Sequence, residues 1–162
     1  MSEKSAIIEY LALLKTAEKE TADLYSYIGQ TNAAANPELS ELFSVLAQEE
    51  LVHAKYFDML KDFQAESETL ILELGNANES IAAILEDIRK KTETIRSFGK
   101  AVAEEELIRN ALEVENGLME RHGISAIHIT DETLRKLFQS LKFADAEHIQ
   151  RLQKYLTERD KK

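Results

Sequence analysis

Two stretches of this 162-residue chain set an acid three places before a histidine in the middle of an apolar pattern: Glu50 with His53 in EELVHA, and Asp145 with His148 in ADAEHI. Around the first pair the series runs Leu46, Glu50, His53, Phe57. Around the second it runs Leu141, Asp145, His148, Leu152, with the same steps of four, three and four. Residues three or four apart share a helix face, so each pair sits at the centre of a stripe that should face a core, where an unpaired carboxylate is costly. Two further acids lie on comparable faces: Glu18 with Leu11, Leu14 and Tyr25, and Glu115 with Ile108, Leu112, Leu118 and Met119. Glu18 precedes Glu50 by 32 residues and Glu115 precedes Asp145 by 30, spacings at which antiparallel hairpins bring residues level. Four carboxylates and two imidazoles then share one interior, and two divalent cations would neutralise the four acids. Oxygen and imidazole donors suit iron or manganese. Either acid–histidine pair alone reads as a hydrogen-bonded structural pair; the six residues together favour a dinuclear metal site.

Such a site needs helices to carry it, and apolar residues recur at helical spacing through five segments. The first runs from about 5 to 29 and stops near Gly29. In ANPE, Asn36 caps the second helix and Pro37 suits its first position; Leu39, Leu42, Phe43, Leu46, Phe57 and Leu60 point inward. Residues 64 to 80 are ambiguous, with LILEL either extending the second helix or not before GNANES breaks it. A third helix covers about 81 to 96, with Ile81, Leu85, Ile88 and Ile95 as its stripe. A fourth runs from about 101 to 122 and ends at Gly123, and Thr130 or Asp131 caps the last, which reaches about 158. Sliding the chain by 95 residues lays Leu39 on Leu134, Phe43 on Phe138, Leu46 on Leu141, Glu50 on Asp145 and His53 on His148. The pattern predicts a single all-α domain: helix pairs 5–60 and 101–158, joined by a crossover over 61–100 that carries an extra helix.

Composition narrows the rest. With no cysteine there are no disulfides, thiolate metal sites, iron–sulfur clusters or cysteine nucleophiles, which suits a reducing cytoplasm. A net charge of −10 repels phosphate backbones and anionic lipid, so neither nucleic acid nor membrane is an expected partner. No apolar run approaches the ~20 residues of a bilayer span. The N-terminal MSEKSAIIEY lacks the uninterrupted apolar region of a signal peptide.

A Glu from each of two helices, with an acid-x-x-His from each of two others, is the ligand plan of ferritin-like dimetal bundles. Here LAQEELVHAKYF resembles the second-helix motif of the rubrerythrin-like proteins in that superfamily. AEKETADLYSYIG is similar to their first-helix motif, in which the ligand Glu precedes an aromatic residue by seven positions, as Glu18 precedes Tyr25. Glu20 and Tyr27 share that spacing, but Glu20 falls to the side of the apolar stripe. ALEVENGLMERH and FADAEHIQRL resemble the third and fourth bundle helices. The resemblance spans both hairpins but not the crossover. It implies a ferritin-like four-helix bundle holding two iron ions, manganese being the other candidate. Glu18 and Glu115 would be terminal ligands, Glu50 and Asp145 bridging ones, and His53 and His148 would give one nitrogen to each metal. Tyr25 is the candidate catalytic residue beside the ligands, with core packing as its alternative.

The chain departs from the family's pattern in places. Asp145 stands where Glu is usual, so one carboxylate arm is a methylene shorter. Position seven after Glu115 is His122 in place of an aromatic, near a helix C-terminus that favours its protonated form. His128 is expected in a loop, and Glu104 to Glu106 are expected as solvated charge, with Glu104 or Glu105 as candidates for an ion entry path. No cysteine-bearing rubredoxin-like tail is present. The resemblance implies a diiron oxidoreductase whose diferrous centre reduces hydrogen peroxide or dioxygen. It would draw on an external electron donor and act in oxidative-stress defence as a homodimer. The alternatives are a ferroxidase or iron store, and a non-enzymatic bundle that keeps the ligands as a metal clip.

Overall fold

The computed structural model describes residues 2–69, 73, 77–159 and 161; within that span the side chains of 77–79, 126 and 127 lie outside the description. Five α-helices follow one another: α1 Glu3–Asn32, α2 Pro37–Glu66, α3 Ala77–Phe98, α4 Glu104–His128 and α5 Glu132–Arg159, with a short 3-10 turn at Gly99–Ala101 before α4. α1 pairs extensively with α2, and α4 with α5, while α3 lies against α1 and α4. The molecule is an all-α bundle of two helical hairpins with a covering helix between them in sequence.

Local chemistry fixes where the helices begin. Ser2 accepts from the Ser5 amide at the start of α1, and Asn36 Oδ1 accepts from the Leu39 amide at 3.0 Å ahead of Pro37. Asp131 Oδ1 accepts from the Leu134 amide at 2.9 Å, so of the two candidate caps for α5 it is Asp131 that serves. Gly99 has φ +53°, the left-handed region that suits glycine, and the chain turns there toward α4.

Several helix ends differ from the sequence expectation. α1 runs past Gly29 to Asn32, and α4 runs past Gly123 to His128, so His128 is the last residue of a helix and not part of a loop. Neither glycine stops its helix, because each lies where a neighbouring helix comes close. A Cβ on Gly29 would stand 2.9 Å from Ser44 Oγ and 3.1 Å from the Ser40 carbonyl; on Gly123 it would stand 3.2 Å from Lys142 Cδ. α2 ends at Glu66, with Ser67 already extended at ψ 141°, so LILEL does not extend it; residues 70–72 and 74–76 lie outside the described residues. α4 starts at Glu104, three residues later than expected.

The core falls into two apolar layers. One gathers Ile7, Leu11, Leu14, Phe57, Leu118, Phe138 and Leu141, with Ile81, Leu85 and Ile88 of α3 closing it. The other gathers Leu24, Tyr25, Ile28, Phe43, Leu46, Ile108 and Leu152, with Ile95 of α3. Burying each such side chain contributes roughly 1.5–3 kcal/mol. On each of the four long helices, the residues that separate one layer from the other are the acids and histidines singled out above.

Candidate metal centre

Glu18, Glu50, Glu115 and Asp145 are wholly buried, and His53 and His148 are buried at 6% and 1% exposure. Each comes from a different turn of α1, α2, α4 or α5, so four helices bring six polar side chains into one dry belt. The alternative choice falls outside it: Glu20 binds Arg89 at the surface.

Within the belt the donors form two groups, Glu18 with Glu50 and His53, and Glu50 with Glu115 and His148. In each, the ligand atoms lie within 4.8 Å of one another. Glu50 belongs to both. His53 Nδ1 lies 2.9 Å from Glu50 Oε2 and 3.7 Å from Glu18 Oε2. His148 Nδ1 lies 2.8 Å from Glu50 Oε1 and 3.2 Å from Glu115 Oε2. The two imidazoles stack with centroids 5.7 Å apart and planes 14° from parallel, so the two halves present the same nitrogen to the shared carboxylate.

The donor set fits divalent cations. Both carboxylate oxygens of Glu18, Oε1 of Glu50 and Oδ1 of Asp145 are buried without a hydrogen-bond partner. A single Nδ1–H cannot serve two carboxylates at once, whereas cations in the two groups would answer the lone pairs of Glu18 and Glu50. Orphaned buried anionic oxygens are rare in folded proteins unless an ion answers them.

Electrostatics point the same way. Burial pushes the Glu115 carboxyl up, and the charge of Glu50 adds to it; bonds from His148 and Tyr25 oppose, leaving it at about 7. Burial also raises Asp145, against the charge of His122. Burial of Glu18 is outweighed by the nearby imidazoles of His122 and His53, which hold it below its ordinary value. The imidazoles resist burial for the same reason: Glu18 and Glu50 raise His53 to about 10, Asp145 and Glu18 raise His122 to about 10, and Glu115 and Glu50 raise His148 to about 11. A field that holds protons on imidazoles this firmly also favours cations in their place.

Around the groups stand residues that hold them. Tyr25 donates its hydroxyl to Glu115 Oε1 at 2.7 Å and packs edge-on against Phe43; burial and the nearby carboxylates keep the phenol protonated. His148 Nε2 lies 3.1 Å from Glu49 Oε2, and Arg151 in turn bonds that carboxylate. Sequence reasoning did not assign Glu49, although it stands beside Glu50. His122 was left outside the ligand set, yet it is wholly buried between Asp145 and Glu18. The available signal was its position seven after Glu115, which puts both on one face of α4. Asp145 enters the belt but joins neither three-donor group. Glu104 and Glu105 do not open toward the centre: Glu104 accepts from Tyr155 at 2.6 Å and Asn36 at 3.0 Å, and Glu105 pairs with Arg109.

A comparison with protein-family models, with curated proteins and with solved structures finds no match for this chain. Among the described residues, no helix is long and apolar enough to cross a membrane.

Proposed function

We propose that this protein is a rubrerythrin-like dinuclear metal oxidoreductase, with two iron ions (manganese being the alternative) that reduce hydrogen peroxide or dioxygen. The observation that carries this reading is the pair of three-donor groups sharing Glu50, set between two apolar layers. Glu18, Glu50 and His53 would hold one ion, and Glu50, Glu115 and His148 the other. The metals would supply the electron transfer to the oxygen substrate. The chain supplies the rest: a carboxylate-rich cradle, exclusion of bulk water by the flanking layers, and fixed imidazole orientation.

One group in this chain holds a proton at a defined atom: Tyr25 Oη donates to Glu115 Oε1. Glu49 Oε2 stands 3.1 Å from His148 Nε2, on the side of the ring away from the shared Glu50. With no cysteine in the sequence, electrons must come from an external donor. The reading extends to a cytoplasmic homodimer, checked by light scattering of the purified chain.

The test is metal analysis of protein purified without chelator, coupled to a peroxide-consumption assay with an artificial reductant. About two iron or manganese ions per chain and peroxide turnover are expected, both abolished in Glu50→Ala and in Glu115→Ala. Full metal occupancy in both variants overturns the ligand assignment. Metal without turnover of peroxide or dioxygen leaves a structural clip, and large assemblies that take up iron mark a store.

A further inference from the structure

His122 is a buried imidazole that the six-ligand plan leaves without a task. It is wholly buried, with the rings of Phe57 and Phe138 at 5.5 Å and 6.4 Å from its own. Its Nδ1 lies 2.7 Å from Asp145 Oδ2 in a hydrogen bond, and its Nε2 lies 3.1 Å from Glu18 Oε1 without an aligned one. Its place in the fold has a counterpart. Tyr25 stands seven residues after Glu18, as His122 stands seven after Glu115. Tyr25 reaches across the bundle to Glu115, and His122 reaches across to Glu18. The two are equivalent side chains of the two hairpins, each set against the lone Glu of the other. His122 differs in having a second polar atom, and that atom takes Asp145.

We infer that His122 is a positioning residue that holds Asp145 away from the two donor groups, so that three carboxylates and two histidines would hold the metals, with Glu50 common to both groups. This deepens the dinuclear reading and rests on it. The short Asp145 arm, a methylene less than Glu, carries the carboxylate to His122 Nδ1, and neither three-donor group contains it. A bond between an imidazole and a carboxylate in a dry core is charge-assisted and strong. That bond engages Oδ2 alone; Oδ1 carries no hydrogen bond, yet it too stands outside both three-donor groups. The two hairpins therefore differ in chemistry: the acid of α2 is shared by both donor groups, and the acid of α5 is held by a histidine that faces Glu18.

Cobalt(II) titration of the metal-free protein tests this, reading stoichiometry, affinity and the visible ligand-field spectrum. Asp145→Asn keeps an acceptor for His122 and is expected to bind about two ions with affinity and spectrum unchanged, whereas Glu50→Gln loses binding. His122→Phe fits between the phenyl rings but frees Asp145. Its cobalt spectrum is expected to shift, and the shift to vanish in the double variant with Asp145→Asn. His122→Asn, whose amide stands near the place of Nδ1–H, restores the original spectrum. Loss of one ion or a tenfold drop in affinity in Asp145→Asn overturns the inference and leaves the dinuclear reading standing. Undiminished binding of both ions by Glu50→Gln overturns that reading itself. An unchanged spectrum in His122→Phe also overturns the inference; if that variant does not fold, Asp145→Asn and His122→Asn decide it.

Discussion

A metal-binding histidine depends on the group beside its other nitrogen, and Glu49 Oε2 stands 3.1 Å from His148 Nε2 while Arg151 holds Glu49. Removing such an orienting carboxylate typically costs 10–100-fold in metal affinity. Glu49→Ala is therefore expected to weaken metal binding by about that factor, measured by competition with a chelator of known affinity. Glu147→Ala, two residues from Asp145 but exposed, is expected to leave affinity unchanged; equal losses in both would mean that surface charge sets affinity. That Glu18, Glu50, His53, Glu115, Asp145 and His148 face one interior was legible in the sequence because they interrupt apolar stripes at helical spacing, and that spacing alone decides which face a residue shares. Glu49 and His122 were not assigned from it. Their roles depend on how α2 and α4 are rotated against their neighbours, which periodicity within one helix does not encode. The Tyr25 hydroxyl donates to Glu115, one of those six residues.

Glycine shows why the elements were easier to count than to bound. A glycine after an apolar run reads equally as a helix stop or as a place where two helices touch, and at Gly29 and Gly123 contact between helices won. At Gly29, Ser44 Oγ is itself held by the Ser40 carbonyl at 2.7 Å, so neither near neighbour can retreat cheaply. Gly29→Ala is expected to destabilise the fold by roughly 1–3 kcal/mol, the cost of overpacking a close contact. Gly117, in mid-helix on α4, is the opposite case: its Cβ would meet Ile84 at 3.8 Å, an ordinary contact. Gly117→Ala is expected to stabilise by about 1 kcal/mol through helix propensity. Chemical denaturation of both variants gives the two signs, and two effects of the same sign would contradict the packing described here. Caps were the more readable boundary, since Asn36 and Asp131 satisfy backbone amides that any helix start leaves open.

For the molecule as a whole, the belt that would bind metal is also a liability without it, and the sign of that liability is set by pH. Without metal, His53, His122 and His148 have pKa values raised to about 10, 10 and 11, and Glu115 is raised to about 7. A group raised in the folded state binds more protons there than in the unfolded chain, so its contribution falls as pH rises between its two values. For Glu115 that window runs from 4.5 to about 7. For the histidines the contribution is complete below 6.5 and is lost as pH climbs through about 10. Glu18, lowered in the folded state, works oppositely and loses its contribution only on acidification below 4.5. The raised groups outnumber it, so the metal-free protein is expected to be most stable in mild acid and to weaken steadily toward alkaline pH. Metal ions displace those protons, so they bind more tightly as pH rises and stabilise the fold most where the empty belt is weakest. Thermal melting of metal-free and metal-loaded protein from about pH 5 to 9 is expected to show a gap that widens with pH. A gap that stays constant or narrows would mean that the buried acids and histidines do not exchange their protons for metal in one shared centre.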